Sequence, residues 1–335
     1  KNKINRIRKI LKSIKADYIL ISAPENVAWT LNIRGSDNPN SPIPNCRLII
    51  GKAKETFLIT EKQKASEIIK EGKISNKQIV SPNKFRDLIG KLKGKKFIID
   101  HLSCSILNEK IIQSKFKIIN KNDPCYKFKS IKNSSEIKNM INVHIKDGVA
   151  LTKFIYWIKN INKNKITEID SQNKLEKFRK LNKNYLFPSF NTISGTGSNG
   201  AIVHYRASKK TNKDIKKNDI FLCDSGGQYK YGTTDVTRTI CFSKQKNSIK
   251  NKFTKVLKGH IAVATANLKK LNTGKKVDLV ARQFLKKDGL DYAHGTGHGV
   301  GFFSNVHEGP QSITKINTVK LEEGMVVSNE PGYYK

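Results

Sequence analysis

Acidic residues are scarce in this 335-residue chain: 27 Asp plus Glu stand against 64 Lys plus Arg, a formal net charge of +37. Such an excess by itself points to nucleic acid. The strings that would exploit it are missing, however, because the chain has no zinc-finger spacing, no basic motif interleaved with aromatics and no RNP-like sequence. The lysines run through nearly every segment with an excess of Asn and Ile, as in "KNKINRIRKILKSIK". We read them as a composition bias over solvent-exposed positions and expect no nucleic-acid partner. Cysteine is equally sparse. Cys46, Cys104, Cys125, Cys223 and Cys241 are odd in number, far apart and free of any CxxC pair, which excludes a disulfide framework and fits a reduced, cytoplasmic protein. No apolar run approaches a membrane span, and the basic N-terminus lacks the apolar core of a signal peptide, so no membrane partner is expected either. Solenoid repeats and low-complexity tails are also missing.

What is present fits two domains of ordinary size. Over residues 1–120, helical and strand patterns alternate. "INRIRKILKSIKA" puts Ile4, Ile7, Leu11 and Ile14 on one stripe, "DYILIS" reads as a strand, and "CRLIIGKAKETFLIT" reads as two strands around a short turn. "KASEIIKEG" and "KFRDLIGKLKG" read as helices, "KKFIIDH" and "KFKIIN" as strands. This is a mixed α/β domain over 1–123, followed by a connector with Pro and polar residues within 121–134. A long helix then starts at a Ser134 or Ser135 cap, with Ile137, Met140, Ile141, Ile145, Val149, Thr152, Ile155 and Tyr156 on its helical repeat. A second helix starts near Thr167. From Phe187 the texture changes to strands and glycine loops, with one helix around "FTKVLKGHIAVATANLKKL" before the histidines.

Those histidines pose the chemical question. "HGTGHGVGFFSNVHEGP" puts three of the chain's seven, His294, His298 and His307, within fourteen residues. A structural histidine needs no such company, whereas a metal or proton-transfer site does. The His294 to His298 spacing is that of a helical HExxH motif, but residue 295 is Gly, and further glycines at 297, 299 and 301 weaken any helix. An extended segment close to something small fits better. Upstream, "IFLCDSGGQYKYGTTDVTRTICF" reads as a hairpin. With its turn near Tyr229 and Lys230, Asp224 and Asp235 stand directly opposite each other. Facing carboxylates repel unless one is protonated or a cation lies between them, so the pair is an acid/base dyad, a metal cradle, or two aspartates on a solvated hairpin. Adding His298 and Glu330, the latter after the apolar strand "GMVVS", makes an oxygen-rich set with one imidazole that suits Mn²⁺, Co²⁺ or Zn²⁺. Two such ions would support hydrolytic chemistry. Cys223, one residue before Asp224, points to the opposite sheet face.

Four stretches, "GTGSNGAIVHY", "DSGGQYKYGTTDVTRT", "HGTGHGVGFFSNVHEGP" and "EGMVVSNEPGYY", closely resemble the Xaa-Pro aminopeptidases (aminopeptidase P) of the pita-bread metallopeptidase superfamily. "NVAWTLNIRGSDNPNSP" resembles the creatinase-like domain that precedes the catalytic domain in the long form of that enzyme. The resemblance covers essentially the whole chain. It implies an α/β creatinase-like domain over 1–123 and an α+β pita-bread catalytic domain over 124–335. It also implies two divalent ions, with Mn²⁺ preferred over Zn²⁺ or Co²⁺, held by Asp224, Asp235, His298 and Glu330. His204, His294 and His307 would then bind substrate and shuttle protons. The implied reaction removes an N-terminal residue from peptides with proline second, through attack by a metal-bridging hydroxide; a prolidase-like dipeptidase or a non-catalytic binding protein on the same scaffold are the rivals. A homodimer is expected for the complete protein. The family's earlier creatinase-like domain is not seen, and its second glutamate ligand falls beyond Lys335. The catalytic domain is therefore expected to be incomplete at its C-terminus, and the chain to lack full activity. His101, His144 and His260 match no motif and are expected to be structural or exposed, and Trp29 and Arg34 are as readily structural as substrate-binding.

Overall fold

The computed structural model describes residues 2–162 and 166–335. The chain divides into two compact units, Lys1–Lys129 and Ser130–Lys335.

In the first unit the Ile/Leu stripe folds as helix α1 (Asn2–Ile14), with Ile7 and Leu11 buried and Ile4 and Ile14 packed beside them. After it come β1 (Tyr18–Ile21), α2 (Pro24–Leu31), β2 (Arg47–Gly51), β3 (Thr56–Ile59), α3 (Ser66–Lys70), β4 (Ile79–Val80), α4 (Phe85–Lys91), β5 (Lys96–Ile99), α5 (Ile106–Gln113) and β6 (Lys117–Asn120). The strands form one mixed sheet in the order β4-β3-β2-β1-β5-β6. Alternation along β1 sends Ile19 and Ile21 into a core shared with α1 and α2, and Tyr18 and Leu20 into another built with α4 and α5. Both faces are thus covered, as the apolar strands require. Trp29 and Arg34 both make contacts within the unit: the indole lies tilted against Phe128 under the Lys3 ammonium, and the guanidinium donates to the carbonyls of Ala28 and Ile33.

The stretch expected to be a connector holds a helix, α6 (Pro124–Ser130). Asp123 accepts a hydrogen bond from the Cys125 amide at 2.9 Å, and Pro124 sits where a missing N–H costs nothing. Cys125 and Phe128 join the core around α1, so the units divide after residue 129, six residues past 123 (129 − 123).

The second unit begins with α7 (Ser134–Asn160). Its cap is Asn133 rather than either serine: Asn133 accepts from the Glu136 amide and Glu136 accepts from the Asn133 amide, both at 2.9 Å. The buried face also differs from the expected stripe. Met140, Val143, Asp147, Ala150, Leu151, Phe154 and Ile158 face inward, while Ile141, Ile145, Val149 and Tyr156 are more than half exposed. What turns the helix is polar: Asp147 accepts two hydrogen bonds from Arg179 on α8 (Glu168–Lys180), at 2.7 and 3.1 Å, and one from the Tyr229 hydroxyl at 2.6 Å. A buried charge takes the position where its partner lies, whatever the apolar periodicity prefers.

Strands β7 (Tyr185–Pro188), β8 (Ile193–Thr196), β9 (Ile220–Ser225), β10 (Gly227–Tyr229), β11 (Gly232–Thr233) and β12 (Val236–Cys241) form two small antiparallel sheets, β11-β10-β7 and β12-β9-β8. Phe221 and Cys223 pack with Leu151, Phe154 and Leu175 of the helices, so Cys223 points away from the face that carries Asp224, as expected. Helix α9 (Asn247–Ala264) matches the expected helix; α10 (Gly274–Lys286) was not anticipated, because two of its inward-facing residues are the charged Asp278 and Arg282. A short hairpin, β13 (Gly297–Gly299) with β14 (Glu308–Ile313), carries His298. "GMVVS" makes isolated bridges rather than the expected strand, yet it is tied along β13 by Val300 N–H to Val326 O, Ser328 N–H to His298 O and Glu330 N–H to Thr296 O.

Replacing Asp147 by Ala leaves the Arg179 guanidinium buried without its counter-charge and should cost about 3–5 kcal/mol. Ile145→Ser, on the exposed face of the same helix, should change stability by no more than about 0.5 kcal/mol. Urea unfolding followed by circular dichroism measures both, and equal losses would contradict the orientation of α7.

Candidate metal centre

The two aspartates reach one place by a different register from the one expected. The turn is Lys230–Tyr231, one residue later, since Tyr229 pairs with Gly232 and Gln228 with Thr233. Asp224 therefore faces Thr237, and Asp235 lies just outside β12, diagonally across the same face. Gly226 permits this crossover, because a Cβ there would lie 2.0 Å from the Thr234 carbonyl oxygen. The diagonal still leaves the charges close. Burial pushes the Asp224 carboxyl up to about 7, and the Asp235 charge adds to the rise. Asp224 Oδ1 is buried with no hydrogen-bond partner among the described residues.

His298 and Glu330 close the cluster. Glycine at 297 lets the chain pass so near the 324–330 segment that a Cβ would meet Ser328 O at 2.0 Å. The His298 amide donates to Ser328 Oγ at 2.8 Å, and Ser328 Oγ donates to Glu330 Oε1 at 2.7 Å. His298 Nδ1 lies 2.9 Å from the Gly299 carbonyl and so carries the proton there, which aims Nε2 at Asp235 Oδ2, 3.1 Å away, and Glu330 Oε1, 3.3 Å away. Burial lowers the His298 pKa, but the Asp235 hydrogen bond and the Glu330 charge outweigh it and the net shift is upward. Burial raises the Glu330 pKa. Three carboxylates thus meet one imidazole, with a buried carboxylate oxygen left over. That donor set fits divalent cations, which would supply the positive charge the carboxylates lack.

The other histidines surround this cluster. The His307 ring stands 4.1 Å, centroid to centroid, from that of His298, and its ligand atom lies within 4.8 Å of those of Asp235 and His298. His307 is thus as close to the cluster as a ligand. Its pKa is lowered by burial and by His298. His294 sits farther along the segment with Nδ1 on the Gly295 carbonyl at 2.7 Å, and its Nε2 is buried with no partner among the described residues. Burial lowers its pKa too. His204 follows a 3₁₀ turn with φ of 58°, a left-handed conformation uncommon outside glycine, and adds a small lowering to the pKa of both His294 and His307. Its neighbour Tyr205 anchors the loop through the buried Glu168 carboxylate, at 2.8 Å. His101 faces Glu109 within the first unit, His144 faces the Met140 carbonyl, and His260 faces the carbonyl of Asn329, the residue before Glu330. Sequence reasoning missed Tyr334, whose ring stands 5.4 Å from that of His294 and whose hydroxyl burial pushes up to about 12. It also missed the buried Lys132–Glu308 ion pair one residue from His307.

Residues 138–335 match the model of metallopeptidase family M24, and residues 1–136 match the creatinase/prolidase N-terminal domain. The chain belongs to the M24 metallopeptidases. It is 38% identical over 352 residues to a probable Xaa-Pro aminopeptidase P of Paracoccidioides brasiliensis, covering 99% of this chain and 57% of that protein. A probable Xaa-Pro aminopeptidase P of Pyrenophora tritici-repentis is also 38% identical, with 100% and 59% covered. Among solved structures, the X-prolyl aminopeptidase of Caenorhabditis elegans, a cytosolic enzyme with a di-nuclear active site, superposes with TM-score 0.89 at 30% identity, over 100% of this chain and 56% of that one. The prolidase of Pyrococcus horikoshii gives 0.78 at 25% identity, over 100% and 91%. The chain thus spans somewhat more than half the length of the curated relatives it matches. The architecture is the M24 one, a creatinase-type α/β domain followed by a pita-bread domain. Among the described residues, no helix is long and apolar enough to cross a membrane.

Because the Asp224 pKa is raised in the fold, from 3.8 to about 7, its contribution favours folding below about pH 4 and is lost as pH rises through about 7. In EDTA, the melting temperature of the M24 chain relative to its Asp224→Asn variant should therefore fall between those two pH values. A difference that stays flat over this range would show that Asp224 is not held in a buried, like-charged place.

Proposed function

We propose that the whole protein is a metal-dependent aminopeptidase that removes the N-terminal residue from peptides with proline in second position. The observation that carries this reading is the convergence of Asp224, Asp235, Glu330 and His298 in a partly buried cluster that needs cations. The likeness to Xaa-Pro aminopeptidases over the whole of this chain supports the choice of substrate. The four residues would be ligands of a centre of two divalent ions that the second glutamate expected past Lys335 completes, Mn²⁺ being our choice for so oxygen-rich a set. Bound there, such ions lower the pKa of water and polarise a carbonyl.

The remaining work falls to side chains. Burial lowers the pKa of His294, and burial together with the neighbouring His298 lowers that of His307, which favours neutral rings able to accept a proton or a hydrogen bond; the buried Nε2 of His294, without a partner among the described residues, would accept from a peptide N–H. His204, on its strained loop, would hold the peptide from the side of the exposed Ile202 and Val203. Lys132 and Glu308 keep the backbone beside His307 from drifting. We place the protein in the cytoplasm, as its five free cysteines and the cytosolic nematode enzyme suggest.

The test is cleavage of an Xaa-Pro-Xaa tripeptide by the whole protein in the presence of Mn²⁺. Asp235→Asn keeps the shape, removes one charge and should abolish turnover with little change in melting temperature. Cleavage of Xaa-Pro dipeptides alone would move the protein to the dipeptidases, and full activity of Asp235→Asn would remove that residue from the ligand set. His298→Ala should lose metal by elemental analysis, whereas His294→Ala and His307→Ala should keep it and lose kcat/KM. Metal loss in His307→Ala equal to that in His298→Ala would make His307 a ligand.

A further inference from the structure

Residues 291–296 approach β13 without belonging to a helix or a strand, so their backbone groups must find partners elsewhere. For the Tyr292 and His294 carbonyls those partners come from a single turn of α10. Asp278 and Arg282, four residues apart and both buried, form an ion pair at 2.8 Å. The guanidinium then spends its remaining donors on the segment: Nη1 on Asp291 Oδ1 and on the Tyr292 carbonyl, both at 2.7 Å, and Nη2 on the His294 carbonyl at 2.6 Å. Its central carbon, Cζ, lies 3.8 Å from the centroid of the Tyr292 ring. The second oxygen of Asp278 accepts from Thr296 Oγ1 at 2.6 Å. Since that uses the only threonine proton, the hydrogen bond between Thr296 and Tyr292 must have the tyrosine as donor. The Thr296 carbonyl in turn accepts the Glu330 amide at 2.8 Å.

We propose that Asp278 and Arg282 are positioning residues of the metal centre, an ion pair that holds His294 and Glu330 at a fixed separation through the Thr296 backbone. The proposal rests on the reading of the cluster as a metal site. Neither residue touches the carboxylates or imidazoles of that site. Arg282 holds the carbonyl of His294, and Asp278 holds the side chain of the residue whose carbonyl sets the height of Glu330. A flat five-donor fork is needed to serve four acceptors in three directions, which a lysine ammonium cannot do. The Thr296 hydroxyl is the joint between the two halves.

The experiment compares Arg282→Lys, Thr296→Val and Thr296→Ser in the whole protein. Three quantities are read: Mn²⁺ affinity by calorimetry, kcat and KM on an Xaa-Pro-Xaa peptide at saturating Mn²⁺, and amide exchange of the metal-free protein over 291–300 and 325–332. Arg282→Lys and Thr296→Val should each weaken Mn²⁺ binding or lower kcat by about 10–100-fold with KM nearly unchanged, and Thr296→Ser should recover most of the loss. Exchange should quicken in both segments together in the first two variants. Variants that merely melt at lower temperature, with Mn²⁺ affinity, kcat and exchange as in the parent, would overturn the proposal. So would the failure of both to fold, since the residues would then serve the fold as a whole. A parent protein that binds Mn²⁺ without cleaving the peptide would sink the functional reading, while the affinity and exchange comparisons would still decide this one.

Discussion

Like charges held close together are the constraint from which the rest of the second unit follows. Asp224, Asp235 and Glu330 come from a strand, the short link between β11 and β12 and an irregular segment, and each arrives because its backbone is pinned by something else. Left to themselves the three would spread into solvent or take up protons, and Asp224 does the latter, since burial and Asp235 hold its pKa near 7. The fold thus spends stability to assemble a charge cluster. Buried strain of this kind is what a cation-binding site looks like before the cation is counted.

The supports that resist this repulsion are themselves ionic. Asp147 and Arg179 lie behind β9, with Arg179 also donating to Ser225, the residue after Asp224, at 3.0 Å. Lys132 and Glu308 lie behind His307, and Asp278 with Arg282 behind His294 and Glu330. Each pair has both side chains almost wholly out of solvent. Apolar packing of equal volume would cost less to bury. A carboxylate facing a forked guanidinium, however, fixes direction as well as distance, and direction is what a ligand shell requires. The basic excess of the chain plays no part in this, because the charges that shape the site are few, buried and paired.

The first unit was largely legible from its residues. The stripe of α1 and the strands around Leu20, Ile49, Leu58 and Ile98 were visible because a half-buried helix and a buried strand each leave an unmistakable apolar period. The second unit was less so. Its long helix was recognised but turned the wrong way, since Asp147 sits on the buried face and Ile145 on the exposed one. Helix α10 was overlooked for the same cause. A pattern reader treats Asp and Arg as solvent-facing, and only their pairing across i and i+4 permits burial.

The order and identity of the chemical groups were therefore a property of the chain alone: two aspartates on one hairpin, histidines between glycines, a glutamate after an apolar run. Local rules suffice for that, because hairpin alternation and glycine spacing act over a few residues. Which groups meet was settled only by tertiary structure. A one-residue shift of the turn moved Asp235 from opposite Asp224 to its diagonal. Contacts between residues 30 and 34 positions apart brought Ser328 to bear on His298 and Thr296 on Glu330. Such contacts follow from where buried charges find partners across the whole unit, and no window of neighbouring residues contains that information.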